Sequence, residues 1–295
     1  MANGPGEAAT PHSSLLTPHR GALLRAGRFH LDLSRPLIMG VVNVTPDSFS
    51  DGGRHVEADA AVSHAHRLLH EGADILDIGG ESTRPGAHPV PLEEERRRVL
   101  PVLEALTGVA APVSVDTRTP ALMREVIAAG ASMINDISAL EGPEALEIVA
   151  QSDVTVCLMH KQGEPQTMQD DPVYADVVGE VTDYLQRRIE AARAAGIADD
   201  RIVVDPGFGF GKTLEHNLEL LRSLHRIASL GAPVLAGLSR KGMLGRITGR
   251  SVDDRIHASV AAALIAVQNG ARIVRVHDVA ATRDALRVWT AVAAG

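Results

Sequence analysis

From residue 37 onward the chain alternates between short apolar runs and longer amphipathic segments. The runs are LIMGVVN (37–43), DILDIGG (74–80), PVSVDT (112–117), SMINDIS (132–138), TVCLMH (155–160), RIVVDPG (201–207), PVLAGLS (233–239) and RIVRVHD (272–278). Continuous apolar character, rather than strict alternation, is what parallel strands covered on both faces show. Segments 58–71, 92–107, 120–129, 173–195, 214–229, 253–269 and 280–293 mostly carry apolar residues three and four apart, which predicts helices. EGA, AGA and NGA precede the second, fourth and eighth runs, where a glycine can close a helix in left-handed geometry. Eight strand–helix units in about 250 residues predict an α/β fold of the (β/α)8 TIM-barrel type, with a doubly wound open sheet as the alternative. Upstream, GALLRAGRFHLDLSR (21–35) has two short apolar pieces around Ala26-Gly27 and predicts a small N-terminal β-hairpin. Residues 1–20, rich in Gly, Pro, Ala and Ser, are expected to be a disordered tail, and 21–295 a single domain.

A second pattern sits at the strand ends. The apolar runs finish at or beside Asn43, Glu81, Asp116, Asn135 and Asp136, His160, Asp205, Ser239 to Lys241, and Arg275, His277 and Asp278. In a barrel these ends converge on the face that carries active sites. One charged residue at a strand end is usually a loop start or helix cap; eight successive polar ends point to a site.

The stretch DPGFGFGKT (205–213) raises the question of a phosphate-binding loop. A Walker A loop needs Gly, four residues, then Gly-Lys-Ser/Thr. Counting back from Gly211-Lys212-Thr213 places Pro206 at the first glycine. Proline has no N–H and a fixed φ, so a nucleotide P-loop is not expected.

Composition narrows the classes. A net charge of −8 argues against general nucleic-acid binding, which needs a basic footprint. No apolar run approaches the ~20 residues of a membrane span. The start of the chain lacks the basic-then-apolar pattern of a secretory signal. The single cysteine, Cys157, lies in the apolar run TVCLM and reads as a buried core thiol. A cytoplasmic location is expected.

The ordered set MGVVNVTPDSFSDGG, GADILDIGGESTRPGA, VSVDT, INDIS, LMH, DPGFGFGK, GLSRKGMLG and RVHDV resembles the dihydropteroate synthase family over about residues 36–291. Each stretch falls at a strand end, in the family's order. The resemblance implies condensation of 6-hydroxymethyl-7,8-dihydropterin pyrophosphate with p-aminobenzoate, with loss of pyrophosphate. It implies a pterin pocket of Asp116, Asn135, Met159, Asp205, Phe210, Gly237, Lys241 and Arg275. Asn43, Arg84, Arg275 and His277 would hold the pyrophosphate. Phe49, Thr83, Pro85, Lys241 and Gly242 would hold p-aminobenzoate. Asp116, Asp205, Lys241, Asp51 and Arg84 would carry catalysis. A Mg²⁺ ion contacting Asn43, sulfonamides as inhibitors and a homodimer through the last helices are implied as well. In this resemblance Lys212 is not the phosphate lysine, and His160 and Asp136 read as braces. One departure stands out: many members have Ser after SRK, where this chain has Gly242. The rival readings are a non-catalytic pterin-binding paralogue and a pterin-dependent methyltransferase.

Overall fold

The computed structural model describes residues 23–44, 54–81, 90–163 and 167–293. Eight parallel strands close into a barrel, each neighbouring the next in sequence: β3 (Leu37–Asn43), β4 (Ile75–Gly79), β5 (Val113–Asp116), β6 (Met133–Asp136), β7 (Thr155–Met159), β8 (Ile202–Asp205), β9 (Val234–Ala236) and β10 (Ala271–Val276), which returns to β3. The open-sheet alternative is thereby excluded. Around them run α1 (Arg54–Glu71), α2 (Leu92–Ala105), α3 (Pro120–Ala128), α4 (Ala145–Ala150), α5 (Val177–Ala194), α6 (Leu214–Arg222), α7 (Leu224–Ala228), α8 (Gly242–Thr248), α9 (Ile256–Gln268) and α10 (Val279–Ala293).

The two faces of each strand bury different things. Outward residues such as Ile38, Val42, Leu76, Ile78, Val113, Val115 and Val204 pack under the helices in one large core. Inward residues Leu37, Met39, Ile75, Met133, Cys157, Val203, Leu235 and Ile273 fill the lower barrel, so its interior is a packed floor rather than a pore. Cys157 is fully buried there, as its apolar setting predicts.

The predicted hairpin forms from β1 (Leu23–Ala26) and β2 (Phe29–Asp32), paired antiparallel. Leu24 and the following Leu33 join the floor cluster, so the hairpin plugs the barrel's N-terminal end. It is pinned by Thr155 Oγ1 donating to the Arg25 carbonyl at 2.6 Å and by Gly27 N–H donating to the Asp153 carbonyl at 3.0 Å. The proposed disordered tail, 1–20, lies outside the described residues.

One expectation needs correcting, and α4 was not among the predicted helices. The segment 214–229 is not one helix: Ser223 leaves helical geometry (φ −101°, ψ 15°), and the turn lets Leu224 and Ile227 bury separately from Leu220 and Leu221. The six-residue α4 had no periodic signature, because a run that short presents barely one apolar face. No helix among the described residues is long and apolar enough to cross a membrane.

Candidate active site

Moving two residues along a barrel strand keeps the side chain inward and raises it one layer. Above the apolar floor this step turns polar. Ile75 gives way to Asp77, Met133 to Asn135, Val203 to Asp205, and Ile273 to Arg275. In register, Asp77 faces Ser114, Gly79 faces Asp116, Asp116 faces Asn135, and Met159 faces Asp205. The result is a polar cup standing on a hydrocarbon floor.

Arg275 crosses this cup. Its Nε donates to Asp77 Oδ2 at 2.7 Å and a terminal nitrogen donates to Asp116 Oδ2 at 3.1 Å. The same Asp77 oxygen accepts from Asn135 Nδ2 at 3.2 Å. The Asp116 carboxyl is raised to about 7, first by burial, with the Arg275 charge pulling it down and Asp77, Glu95 and Asp136 pushing it up. Burial works against the Arg275 charge too, but Asp77 and Asp116 outweigh it and hold that group above its ordinary value. Burial raises Asp205, opposed by its bond from the Gly207 N–H and by Lys241, Lys212 and Arg275. Glycine occupies two further inward positions. A Cβ at Gly79 would lie 3.8 Å from the Asp116 Cβ, and one at Gly237 would lie 3.9 Å from Asp205 Oδ2 and 4.0 Å from the Arg275 Cβ. Side chains there would enter the cup.

The loop after β8 answers the question raised by its three alternate glycines. Gly207, Gly209 and Gly211 all have positive φ (66°, 81° and 62°), open to glycine and costly for other residues. The loop folds tightly against the end of β7, and the Gly207 N–H donates to Asp205 Oδ1 at 2.7 Å. Lys212 turns inward rather than toward a phosphate. Its ammonium lies 2.9 Å from His160 Nδ1, 3.0 Å from the carbonyls of Gly207 and Phe210, and 3.5 Å from that of His160. Burial lowers Lys212 to about 7, with Asp205 supporting its charge and Lys241 opposing it. Burial and then the Lys212 charge hold His160 neutral, down to about 3. Lys212 and His160 therefore brace the loop that presents Asp205 and Phe210. Asp136 is also a brace, accepting from the Ser138 and Leu140 N–H groups at 2.7 and 2.8 Å.

Lys241 ends the turn before α8 and lies over the Phe210 ring, its ammonium 4.1 Å from the centroid. A cation over a ring face is attracted by the ring quadrupole. The turn is held by Arg240, left-handed at φ 57°, which pairs with Asp278 at 2.7 Å. Gly242 is the first residue of α8, and a Cβ there would meet nothing within 4 Å. His277 lies beside Ser239, its Nδ1 3.0 Å from Ser239 Oγ. Beside the cup a cleft of about 790 Å³ opens, lined among others by Asn43, His64, Arg67, Arg240 and His277.

The structure thus gathers Asp116, Asn135, Asp205, Gly237, Phe210, Lys241 and Arg275 about one cup. Met159 joins Phe210, Ile137 and Met168 in a small apolar cluster at its wall. Asn43 and His277 share the neighbouring cleft. Phe49, Asp51, Thr83, Arg84 and Pro85 lie outside the described residues. Asp77 is the residue the strand pattern passed over. Its signal was an acid in the middle of the otherwise apolar run DILDIGG, since a carboxylate is almost never fully buried unless paired.

Residues 39–277 match the family described as pterin binding enzyme. The dihydropteroate synthase of Neisseria meningitidis serogroup B is 54% identical over 275 residues, covering 91% of this chain and 96% of that protein. A Xanthomonas albilineans dihydropteroate synthase solved with 4-aminobenzoic acid superposes with a TM-score of 0.88 at 56% identity, covering 93% of this chain and 99% of that one. A Yersinia pestis dihydropteroate synthase solved with a sulfonamide drug gives a TM-score of 0.88 at 48% identity, covering 92% and 100%. With its barrel, its polar cup and these likenesses, the chain belongs to the dihydropteroate synthase family of pterin-binding enzymes.

Proposed function

We propose that the enzyme condenses 6-hydroxymethyl-7,8-dihydropterin pyrophosphate with p-aminobenzoate to give 7,8-dihydropteroate and pyrophosphate. The observation that carries this reading is the cup, in which Asp116 and Asp205 flank Arg275 above an apolar floor. A pterin offers an edge of adjacent donors and acceptors, and a carboxylate accepts two N–H bonds at once. Asp205 takes the amino-pyrimidine edge, Asn135 reads a neighbouring edge, and Lys241 donates to the ring carbonyl or N5. Two Arg275 nitrogens are committed to carboxylates, so a flat ring meets it by stacking. Met159 and Phe210 form the apolar wall, and Gly237 leaves room for the ring.

Loss of pyrophosphate leaves positive charge on the methylene and the dihydropterin. The cup's carboxylates stabilise that charge as it develops, in a site already organised for it. The arylamine then attacks the methylene, forming the C–N bond and releasing a proton. No covalent enzyme nucleophile is required, so positioning and charge carry the rate. Asn43, Arg84, Arg275 and His277 hold the diphosphate; the cleft shared by Asn43 and His277 supports this. Phe49, Thr83 and Pro85 hold p-aminobenzoate with Lys241 and Gly242, and Asp51 and Arg84 assist catalysis.

Among the described residues no cluster of three or more His, Cys, Asp or Glu could hold a metal ion. Asn43 offers one neutral amide oxygen, a donor set that fits Mg²⁺ arriving with the diphosphate and bringing most of its own ligands. When bound, the ion would neutralise the departing diphosphate.

The test is pyrophosphate release by purified protein with dihydropterin pyrophosphate and Mg²⁺, with and without p-aminobenzoate. Dihydropteroate formation dependent on p-aminobenzoate supports the reading. Pterin binding without condensation overturns it in favour of the non-catalytic paralogue.

Sulfonamides, as mimics of p-aminobenzoate, are the expected inhibitors. A serine hydroxyl at the start of α8 would add one hydrogen bond to their shared anionic end, and the open space at Gly242 admits it. Gly242→Ser is expected to tighten p-aminobenzoate and sulfonamide binding about three- to tenfold, the worth of one net hydrogen bond. Identical inhibition constants for the two proteins would remove the hydroxyl from consideration.

A homodimer through α9 and α10 completes the proposal. Its support is apolar surface left exposed there: Ile265 is 43% exposed, Val288 67% and Val292 77%. The double variant Val288→Asp/Val292→Asp should sediment as a monomer while the parent sediments as a dimer; equal sedimentation would rule this face out.

A further inference from the structure

We infer that Asp77 is a positioning residue of this reaction: from the base of the cup it locks the Arg275 guanidinium against Asp116 and turns the Asn135 amide so that its carbonyl oxygen is left for the pterin. The inference rests on the pterin-pocket reading above.

Three observations support it. First, one Asp77 oxygen holds two cup residues from different strands, Arg275 Nε at 2.7 Å and Asn135 Nδ2 at 3.2 Å. An ionised carboxylate only accepts, so the NH₂ end of Asn135 must face it. The Asn135 carbonyl oxygen is then the end that remains for a ligand N–H. Second, Asp77 fixes the plane of Arg275 from below, while Asp116 takes a terminal nitrogen at 3.1 Å. A guanidinium held at two nitrogens can stack on a ring without first losing rotational freedom.

Third, Asp77 serves the fold poorly. It is fully buried, and its Oδ1 has no hydrogen-bond partner. Ser114 Oγ, on the residue in register with it, is likewise buried and unpartnered. A buried carboxylate with an unmet oxygen costs stability, and an apolar residue of similar volume often serves a core as well or better. The flanking positions, Leu76 and Ile78, are apolar. The acid at Asp77 is accounted for by what it holds.

Asp77→Asn is nearly isosteric. Its amide oxygen can still accept from Arg275 and Asn135, but the negative charge is gone. The KM for dihydropterin pyrophosphate should rise about tenfold, as a charge-assisted bond becomes a neutral one, with the KM for p-aminobenzoate within about twofold. Asp116 faces Arg275 from β10, Asp77 from β4, Glu95 from α2 and Asp136 from β6. Removing the Asp77 charge makes Asp116 easier to ionise, so the acid limb of the kcat/KM profile should move to lower pH by about one unit. The substrate is the same in both proteins, so a shifted limb belongs to the enzyme. A structural role alone would lower the melting temperature and leave the limb in place; that outcome, or an unchanged pterin KM, overturns the inference. If Asp77→Asn does not fold, the double variant Asp77→Asn/Arg275→Met removes buried charge of both signs. Its pterin KM should then stay within about twofold of Arg275→Met alone, and a larger rise overturns the inference. Absence of dihydropteroate synthesis by the parent protein would instead sink the proposed function, so the two failures are distinguishable.

Discussion

Replacing Asp205 with asparagine is expected to lower kcat/KM for dihydropterin pyrophosphate by about 10²–10³-fold, the cost of removing one preorganised charge-stabilising group from an active site. Asp205 sits at the end of β8 with one oxygen accepting from the Gly207 N–H at 2.7 Å. Asparagine can keep that bond through its amide oxygen, so the loop should hold. The variant presents an NH₂ group where the pterin's own N–H donors approach, and donor meets donor. It also removes negative charge beside the developing cation, so kcat should fall along with pterin affinity, while the KM for p-aminobenzoate changes little. Steady-state kinetics against each substrate, with a melting curve to confirm folding, would decide the matter. A fall of less than tenfold would mean that Asp205 is a loop brace and that Asp116 alone carries the charge. The surroundings favour the larger effect, because burial acts against the Asp205 charge and Lys241, Lys212 and Arg275 support it.

The depth of each residue in the barrel was legible from the two-residue period of its strands. Along β10 the sequence steps from Ile273 in the floor to Arg275 in the cup, and then to His277 at the rim. A polar residue two or four positions beyond a buried apolar one therefore marks the site. The hairpin was legible too, because the apolar pieces on either side of Ala26-Gly27 had to turn there, and Gly27 has φ 56°. What the sequence hides is which neighbour each polar group chooses. Arg275 bonds to Asp77, 198 positions away, and only barrel closure brings β10 beside β3, one strand from β4. Periodicity likewise gave no reason to separate Lys212 from Lys241. Lys212 follows three glycines and has the context of a phosphate ligand, yet its ammonium is surrounded by backbone carbonyls and His160. Lys241 meets the face of Phe210 instead. Both outcomes depend on how the loop after β8 folds back on β7, a tertiary contact with no local signature.

That fold-back makes Gly207 the most demanding position in the loop. Gly207→Ala is expected to destabilise the protein by about 3 kcal/mol or more and to abolish most activity. Two costs combine. Left-handed backbone carries a penalty of about 1–2 kcal/mol for a residue with a Cβ, and Gly207 has φ 66°. In addition, the new Cβ would lie 1.9 Å from the carbonyl oxygen of His160, a backbone atom that cannot rotate away. Relief requires parting the loop from the end of β7, which would break the Lys212 bonds to Gly207 and His160 and the Gly207 bond to Asp205. Partly freed carbonyls and a buried ammonium with fewer acceptors add to the loss. Gly196→Ala is the matching control: φ is 95° there, but a Cβ would meet nothing within 4 Å. Only the backbone penalty applies to it, so about 1–2 kcal/mol should be lost and the kinetics preserved. Chemical denaturation and kcat/KM measured on both variants separate the effects. Equal destabilisation would show that the loop yields easily and that its grip on Asp205 is weak. A larger loss at Gly207, with activity falling alongside, would show that the close approach of this loop to β7 is what holds the Asp205 carboxylate in the cup.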